Sequence, residues 1–431
     1  MEKVKVALVG FGTIGSGVAR LLLEEGPRIA RGARKQVELA YVVDKDLKTK
    51  RNVTLPDGLL SDDLDRALND PDVEVVVQLV GGTDAARSIM LRALDSGKNV
   101  VTANKALLAA HGPELFDKAR QLGRTIAFEA AVGGGIPVIA TIGQSLTANR
   151  IESIDAILNG TCNFILSEME QHGSDYEDVV AEAQRLGYAE ADPTMDVDGS
   201  DATQKLAILA QLAFGASVDW KDIPRMGIDS LAAADIQCAQ GMGYSIRLVA
   251  TARLGTAGLE LCVAPTFVSE GTPLAGVQGA FNAVQIVGDA VGPLLLHGLG
   301  AGQNPTASAV VADLIDTLAG RTAITFNALN LWSKQTVGVP IRALREIPGR
   351  FYLRLDIETQ VDAVNQIARV LQEHNTAIDS LAQYEDEESE DRAGMVIMTQ
   401  ETTEGNITDA VGQIEKLPFV QAEAVRCRVA D

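Results

Sequence analysis

A run of carboxylates ends at a single lysine in the stretch GYAEADPTMDVDGSDATQKLAILA, residues 187–210. The acidic side chains are Glu190, Asp192, Asp196, Asp198 and Asp201, and Lys205 follows at the start of an apolar run. Because Asp201 and Lys205 are four positions apart, a helix here carries both on one face. An ammonium at the edge of a buried helix can donate a proton, while surplus carboxylates can bind the ammonium of a substrate. The pattern therefore indicates carbonyl–alcohol chemistry on an amino acid.

Two other interpretations fit a cluster of carboxylates. Charged runs are usually solvated loops, and the segment DVDGSD at 196–201 begins like a calcium-binding EF-hand loop. An EF-hand loop has glycine at its sixth position and a bidentate glutamate at its twelfth. Here the glycine stands at the fourth position and no such glutamate follows. The spacing argues against calcium, and we assign Asp192 and Asp198 only turn and capping roles.

A glycine-rich loop at the start of the chain is the first element that must position such chemistry. The β-rich run KVKVALV leads directly into GFGTIG at 10–15, and an apolar-periodic helix follows. Dinucleotide-binding folds have strand, loop and helix in this order. Gly10 permits the tight turn, Gly12 lets the backbone approach a pyrophosphate, and Gly15 allows the helix to pack closely on the strand. The helix N-terminus also favours phosphate charge, so the sequence predicts a dinucleotide cofactor.

The choice of dinucleotide depends on the end of the second predicted strand, QVELAYVV. Asp44 and Lys45 stand there side by side. An acidic residue at this point binds the ribose 2′-hydroxyl of NAD, whereas a cation accommodates the 2′-phosphate of NADP. Because the two residues favour opposite cofactors, the sequence predicts NADP or NAD without deciding between them.

Further strands and helices alternate after this loop. The nearly continuous apolar runs VEVVVQLV, NVVTANK and TIAFEAAVGGG predict strands of a parallel sheet that is covered on both faces. Ligands bind at the carboxyl ends of such strands. Thr83, Thr102, Asn104, Lys105 and Glu129 follow or end predicted strands. Lys105 could be an ordinary surface lysine, but this position favours a role in a site.

The rest of the chain predicts two further parts. Strand-rich segments after residue 150 indicate a mixed α+β domain, and the last 80 or so residues follow the ferredoxin-like order strand–helix–strand–strand–helix–strand. The fold class is therefore α/β, with a Rossmann-type doubly wound parallel sheet. The predicted parts are a dinucleotide-binding domain at 1–130 completed by 305–325, a substrate-binding and dimerisation domain at 131–304, a linker at 341–350 and a ferredoxin-like domain at 351–431.

Composition excludes several classes of partner. The net charge of −21 argues against nucleic acid, because phosphate binding needs a basic face. No apolar run approaches the roughly 18 residues of a membrane span, and the chain begins directly in a strand, without a signal peptide. The four cysteines, Cys162, Cys238, Cys262 and Cys427, lack CxxC spacing and fit reduced thiols. We expect a cytoplasmic protein.

Six motifs stand in the order in which they occur in homoserine dehydrogenases: GFGTIG, VVTANKALLA, FEAAVGGGIPV, NGTCNFIL, GYAEADPTMDVDGSDATQKLAIL and GAGQNPTASAVVAD. The chain resembles this family over residues 1–340. The resemblance implies reversible reduction of L-aspartate 4-semialdehyde to L-homoserine with NAD(P)H, a step in threonine, methionine and isoleucine biosynthesis. It also implies a homodimer or homotetramer.

The resemblance implies roles for individual residues. Lys205 matches the proton donor to the aldehyde oxygen, and Lys105 matches a lysine near substrate and nicotinamide. Glu190, Asp196 and Asp201 match substrate-binding residues. The predicted cofactor-binding residues are Gly10, Gly12, Thr13, Ile14, Gly15, Asp44, Lys45, Thr83, Thr102, Lys105 and Gly302. A structural sodium ion is implied at Glu129, Val132, Gly134 and Ile136, held mostly by backbone carbonyls.

The C-terminal domain resembles an ACT domain, a small module that binds amino acids and is linked in this family to feedback by threonine. The ACT pattern Asp-x-Pro-Gly between first strand and helix is replaced here by Thr359-Gln-Val-Asp362. A carboxylate at 362 would face the carboxylate of an amino-acid ligand. A threonine effector site and a purely structural role therefore both stay open.

Two other functions share parts of this pattern. A non-catalytic amino-acid sensor could use a nucleotide fold and an ACT domain for binding alone, but the intact Lys105 and Lys205 argue against it. Another Rossmann dehydrogenase of amino acids, such as an aspartate dehydrogenase, would have no use for an ACT module or for the sodium-loop motif.

Overall fold

The computed structural model describes residues 1–333, 338–360, 362–386 and 389–430. The chain forms two compact units. Unit 1 consists of Met1–Ser153, Thr203–Ile223 and Phe281–Val339, and unit 2 consists of Ile154–Ala202, Pro224–Ala280 and Pro340–Asp431. No helix within the described residues is long and apolar enough to cross a membrane. All four cysteines are described, and none forms a disulfide.

Unit 1 is built on a six-stranded parallel sheet. Across the sheet the strands are Leu60–Ser61, Gln36–Val43, Lys3–Val9, Val73–Gln78, Asn99–Thr102 and Ile126–Ala127. Numbered along the chain, their order is 3-2-1-4-5-6, which is the order of Rossmann dinucleotide-binding folds. Val6, Leu8, Val75 and Val77 have no exposed surface, as expected for a parallel sheet covered on both faces. The predicted Rossmann-type sheet is confirmed.

The helices lie between and after these strands. In chain order they are Thr13–Glu24, Gly26–Ala33, Leu64–Asn69, Asp84–Asp95, Lys105–Gln121, Val138–Ala140, Gly160–His172, Tyr176–Leu186, Thr194–Val197, Ser200–Phe214, Ala233–Gly241, Gln303–Leu318, Arg321–Leu329, Ala363–Glu373 and Glu404–Ile414. Gln303–Leu318 contributes Val310 and Leu314 to the core of unit 1. It packs closely on Thr13–Glu24 because Gly17 has no side chain: a Cβ there would lie 2.8 Å from Gln303 Cγ.

The predicted strand TIAFEAAVGGG differs from the structure. Only Ile126–Ala127 forms a strand, and a 3-10 turn follows at Glu129–Ala131. The Glu129 carboxylate accepts hydrogen bonds from the backbone N–H groups of Ile139 and Ala140, both at 2.8 Å. Because these bonds draw the following segment back toward Glu129, the chain leaves the sheet and turns.

Unit 2 contains a mixed sheet. Its strands, in order across the sheet, are Ile151–Ile157, Tyr244–Gly255, Gly258–Ser269, Val425–Ala430, Pro348–Glu358, Ser389–Thr399 and Ile378–Asp386. Val425–Ala430 runs parallel to Gly258–Ser269 and antiparallel to Pro348–Glu358. In unit 1, Phe281–Gly288 and Gly292–Leu299 form an antiparallel hairpin. The predicted mixed α+β part is therefore present.

The last four long strands of unit 2 show the ferredoxin-like arrangement that the sequence predicts. Counted along the chain from Pro348–Glu358, their order across the sheet is 4-1-3-2. The helices Ala363–Glu373 and Glu404–Ile414 supply Ile367 and Ile407 to a common core with these strands.

The stretch 341–350, predicted to be a linker, is tied to the sheet in the structure. Ile341 forms a parallel bridge with Leu259, and the Arg342 N–H donates to the Leu259 carbonyl at 2.9 Å. The strand Pro348–Glu358 also begins inside this stretch. Since backbone pairing holds the segment against Gly258–Ser269, it is part of unit 2 and not a free connection.

A buried arginine joins three segments of unit 2. The Arg247 side chain is completely buried, and its Nη2 donates to Glu170 Oε2 at 2.8 Å and to the Ala275 carbonyl at 2.8 Å. Its Nε donates to the Val277 carbonyl at 3.1 Å, and its Nη1 to the Ile246 carbonyl at 2.8 Å. The guanidinium thus holds the 275–277 backbone against the helix Gly160–His172.

Candidate active site

The glycine loop of unit 1 has one open position between two crowded ones. Gly10 has φ +101°, and a Cβ there would lie 2.7 Å from the backbone carbon of Leu79. A Cβ on Gly15 would lie 2.1 Å from the Gly10 oxygen. A Cβ on Gly12 would meet no described heavy atom within 4 Å. Gly10 and Gly15 are therefore required by packing, while Gly12 leaves space for a ligand at the N-terminus of the helix Thr13–Glu24.

Replacing Gly12 by valine should raise KM for NAD(P)H about tenfold or more, because the new side chain would occupy the space through which a pyrophosphate approaches. Steady-state kinetics and thermal unfolding measure the two effects, and the unfolding temperature should stay near that of the wild type. The control is Gly15→Ala, which should destabilise the fold because its methyl group would overlap the Gly10 oxygen. A Gly12→Val variant with normal cofactor KM would contradict the role of this loop.

The end of the second strand lies beside this loop. Asp44 Oδ2 accepts a hydrogen bond from the Phe11 N–H at 2.5 Å, and Asp44 Oδ1 accepts one from the Asp46 N–H at 2.8 Å. Lys45 is exposed. Arg51, which sequence reasoning missed, donates from Nε to the Phe11 carbonyl at 3.0 Å and lies over the Phe11 ring at 5.2 Å. The sequence signal for it was the basic series Lys45, Lys48, Lys50 and Arg51 after the strand.

A glutamine from the returning helix also holds the loop. Gln303 Nε2 donates to the Thr13 carbonyl and to Ser16 Oγ, both at 2.9 Å. It follows Gly302, which is exposed and has φ +113°. Sequence analysis singled out Gly302 but not Gln303. The residues predicted to contact cofactor, Gly10, Gly12, Thr13, Ile14, Gly15, Asp44, Lys45 and Gly302, all belong to unit 1.

Two asparagine and threonine side chains organise the carboxyl ends of the middle strands. Thr102 is completely buried, and its hydroxyl donates to Gln78 Oε1 at 2.8 Å. Asn104 caps the helix Lys105–Gln121 by accepting from the Leu107 N–H at 3.0 Å, and it donates to the Gly82 carbonyl at 2.7 Å. Lys105 is thereby fixed, half-buried, in the first turn of its helix. Thr83 directly precedes the helix Asp84–Asp95.

The segment implied to bind sodium is a tightly held turn. Glu129 is 7% exposed, and burial raises the pKa of its carboxyl to about 7 although two backbone N–H groups favour the charged form. Asp313 Oδ2 accepts from the Glu129 N–H at 2.7 Å, and burial together with the Glu129 charge raises the pKa of Asp313 well above its usual value. A Cβ on Gly134 would lie 2.3 Å from the Gly300 oxygen.

No group of three or more His, Cys, Asp or Glu side chains placed to hold a metal ion occurs in the part of the chain that the structure describes. A cation at this turn would therefore be held chiefly by backbone oxygens. The turn fits that requirement, because Gly133 and Gly134 have φ +72° and +55° and so direct their carbonyls as other residues rarely can. Val132 and Ile136 are buried, and buried carbonyls need partners.

The acidic segment lies in unit 2. Asp201 is buried at 8% exposure, Asp196 is half-buried and Glu190 is exposed. Asn159 Nδ2 donates to Asp196 Oδ1 at 2.7 Å and to Asp201 Oδ2 at 2.9 Å. The structure thus brings two of the three predicted substrate carboxylates to one amide, which sequence reasoning missed.

The other two acidic residues have the roles that the sequence predicts. Asp192 Oδ1 accepts from the Thr194 N–H at 3.1 Å and from its hydroxyl at 2.6 Å. Asp198 accepts from the Ser200 N–H at 2.7 Å and from its hydroxyl at 2.8 Å. Both carboxylates are used locally, at the starts of the helices Thr194–Val197 and Ser200–Phe214.

The predicted helix over the apolar run is present as Ser200–Phe214. Asp201 and Lys205 are one turn apart on it, and Lys205 is half-buried. Leu206 and Leu209 have no exposed surface, so the helix enters the core directly after Lys205.

Known proteins share this arrangement over the whole chain. A family model described as "Homoserine dehydrogenase, NAD binding domain" matches residues 10–129, and one described as "Homoserine dehydrogenase" matches residues 137–315. The homoserine dehydrogenase of Pseudomonas aeruginosa is 42% identical, over 100% of this chain and 99% of the relative. The chain belongs to the homoserine dehydrogenase family. The homoserine dehydrogenase of Bacillus subtilis is 37% identical, over 98% of this chain and 97% of the relative.

Solved structures of homoserine dehydrogenases agree with this membership. A crystal structure from Thiobacillus denitrificans is 39% identical and covers 100% of this chain and 99% of that one, with a TM-score of 0.91. A hyperthermophilic archaeal homoserine dehydrogenase in complex with NADPH is 28% identical and covers 73% and 97%, with a TM-score of 0.62. The chain is thus an oxidoreductase acting on a CH–OH group, with an NAD-binding domain. A non-catalytic sensor and an aspartate dehydrogenase do not account for these similarities.

Proposed function

We propose that Lys205 is the proton donor when hydride passes from NAD(P)H to C4 of L-aspartate 4-semialdehyde, giving L-homoserine, and that Lys105 assists in the same site. The observation that carries the proposal is the half-buried position of Lys205, one turn after the buried Asp201 on Ser200–Phe214. Hydride arriving at C4 builds negative charge on the aldehyde oxygen. An ammonium stabilises that charge and then protonates the oxygen. In homoserine oxidation the same amine receives the proton.

The acidic segment binds the substrate ammonium in this proposal. Asp196 and Asp201 are held together by Asn159, and Glu190 is exposed on the same segment. Carboxylates that are withdrawn from water attract a cation more strongly than exposed ones do. The three therefore distinguish an amino acid from an aldehyde that lacks an ammonium.

The cofactor in this proposal is NADP in preference to NAD. Both oxygens of Asp44 already accept backbone N–H groups, so this carboxylate is less available to a ribose hydroxyl. Lys45, Lys48, Lys50 and Arg51 supply positive charge at the same end of the strand, as a 2′-phosphate requires. The other cofactor contacts are proposed at Gly10, Gly12, Thr13, Ile14, Gly15, Thr83, Thr102, Lys105 and Gly302, with Thr102 acting through its backbone because its side chain is buried.

A structural sodium ion is proposed at Glu129, Val132, Gly134 and Ile136. The support is the buried turn with two glycines of positive φ and two buried carboxyl groups, Glu129 and Asp313, whose charge a cation would balance. The ion would fix this turn next to the nucleotide-binding sheet. No chemical step is assigned to it.

The ferredoxin-like part is proposed to be an ACT-type domain with a structural role in a cytoplasmic homodimer or homotetramer. Its strand Val425–Ala430 continues the sheet through Gly258–Ser269. Asp362 precedes the helix Ala363–Glu373 and accepts a hydrogen bond from Asn365 Nδ2 at 2.9 Å, which places negative charge where an amino-acid carboxylate would bind. These features support assembly more than threonine binding.

Oxidation of L-homoserine tests the cofactor and effector proposals in one assay. Formation of reduced nicotinamide should occur with both cofactors, with a KM for NADP about tenfold below that for NAD, since one added ionic contact at the 2′-phosphate has about this effect. L-Threonine should leave the rate unchanged. L-Aspartate replaces L-homoserine as the control and should give no reduction. A lower KM for NAD contradicts the basic-loop argument, and inhibition by threonine contradicts the structural role of the C-terminal domain.

A further inference from the structure

We propose that Asn159 is a positioning residue for substrate recognition: its single amide holds the carboxylates of Asp196 and Asp201 together as a receptor for the substrate ammonium. The inference rests on the proposed function, in which these carboxylates bind the substrate. All three residues belong to unit 2.

The contacts of Asn159 use its whole hydrogen-bonding capacity. The residue is 4% exposed, and the two hydrogens of its Nδ2 point to Asp196 Oδ1 at 2.7 Å and Asp201 Oδ2 at 2.9 Å. Its Oδ1 accepts from the Cys162 N–H at 2.8 Å and so caps the helix Gly160–His172. Only an amide combines two donors on one atom with an acceptor on the other. Aspartate or serine could cap the helix as well, but neither could hold both carboxylates.

The charge balance explains why this contact matters for binding. Two carboxylates that converge on one nitrogen repel each other, and without a shared donor they would separate toward water. A neutral amide satisfies one lone pair on each carboxylate but leaves their negative charges in place. The pair therefore keeps a high affinity for a cation at a fixed location, and the ammonium of an amino-acid substrate supplies that cation.

Neighbouring side chains in the same helical turn fix the backbone of the acidic segment. Thr161 Oγ1 donates to the Tyr188 carbonyl at 2.7 Å, and Cys162 Sγ donates to the Asp196 carbonyl at 3.1 Å. The turn thus holds the segment at its backbone through Thr161 and Cys162 and at its carboxylates through Asn159. Because the backbone is held separately, a change at Asn159 should move the carboxylates without releasing the segment.

The test is Asn159→Asp, which keeps the size of the side chain and the capping acceptor but replaces the shared donor by a third carboxylate. KM for L-homoserine should rise about tenfold to a hundredfold, which corresponds to the loss of a hydrogen bond to a charged group. The value of kcat should change by less than about threefold, because the ammonium is remote from the reacting carbonyl. KM for the cofactor and the thermal unfolding temperature should stay near wild type. Asn159→Ser, which also caps the helix but lacks the paired donors, should show the same pattern.

Asn163→Ala is the matched control. Asn163 lies one turn along the same helix, is completely buried, and donates from Nδ2 to the carbonyls of Val277 at 3.1 Å and Gly279 at 2.8 Å. Its loss should lower the unfolding temperature and leave KM for L-homoserine unchanged. If both Asn159 variants instead lower stability and leave KM unchanged, Asn159 has only a structural role and the inference is overturned.

Asp196→Asn in the same assay separates this inference from the proposed function. A raised KM for L-homoserine in Asp196→Asn together with a normal KM in Asn159→Asp would overturn the role of Asn159 alone. A normal KM in Asp196→Asn would overturn the carboxylate receptor itself, and the positioning role with it. Raised KM in both variants supports both.

Discussion

Replacing Lys205 by alanine should lower kcat for L-homoserine oxidation by about a hundredfold or more while cofactor binding is kept. The ammonium is the proposed acid in one direction and the free amine the proposed base in the other. Without it, the oxygen of the substrate must exchange its proton with water, and its developing charge lacks a fixed partner. Since Lys205 lies on the helix Ser200–Phe214 and not in the glycine loop, KM for the cofactor should change little. Steady-state kinetics with both substrates varied measure this.

Two further variants show which property of Lys205 is needed. Lys205→Arg keeps a positive charge, but an arginine does not give up its proton in proteins. It should therefore recover part of the charge stabilisation and little of the proton transfer, leaving kcat well below the wild type. Lys221→Ala, at an exposed lysine, is the control and should have normal kcat. Near-normal turnover in Lys205→Ala would remove Lys205 from the mechanism.

The parts of the molecule that the sequence predicts correctly are those in which local pattern and tertiary requirement coincide. Gly10 and Gly15 are predicted by their spacing after a strand, and the structure shows that neither position has room for a side chain. Asp201 and Lys205 are predicted to share a helix face by their spacing, and the helix is present. In each case the signal lies within a few residues of the feature.

The parts that could not be predicted depend on partners far away along the chain. Asn159 meets Asp196 and Asp201 at separations of 37 and 42 residues, which no periodicity records. Gln303 meets the Thr13 carbonyl at a separation of 290 residues. The linker prediction at 341–350 was wrong for the same reason, because the bridge from Ile341 to Leu259 has no local signature.

Replacing Arg247 by methionine should lower the free energy of unfolding by about 3–5 kcal/mol. The substitution preserves much of the side-chain volume but leaves the Glu170 carboxylate, 10% exposed, without its counter-charge at 2.8 Å. The carbonyls of Ile246, Ala275 and Val277 would lose donors as well. Denaturant unfolding followed by circular dichroism measures the change, and a loss below about 1 kcal/mol would contradict the assigned role of the pair.

The double variant Arg247→Met with Glu170→Met distinguishes an unpaired charge from lost packing. Removing both charges eliminates the uncompensated carboxylate, so the double variant should be more stable than Arg247→Met alone. Arg253→Ala is the matched control, since the Arg253 side chain is 58% exposed and lies 3.6 Å from Asp155 Oδ2. An exposed pair of this kind contributes about 0–1 kcal/mol. If the double variant is no more stable than the single one, the lost backbone contacts and not the stranded Glu170 charge account for the effect, because those contacts are missing in both.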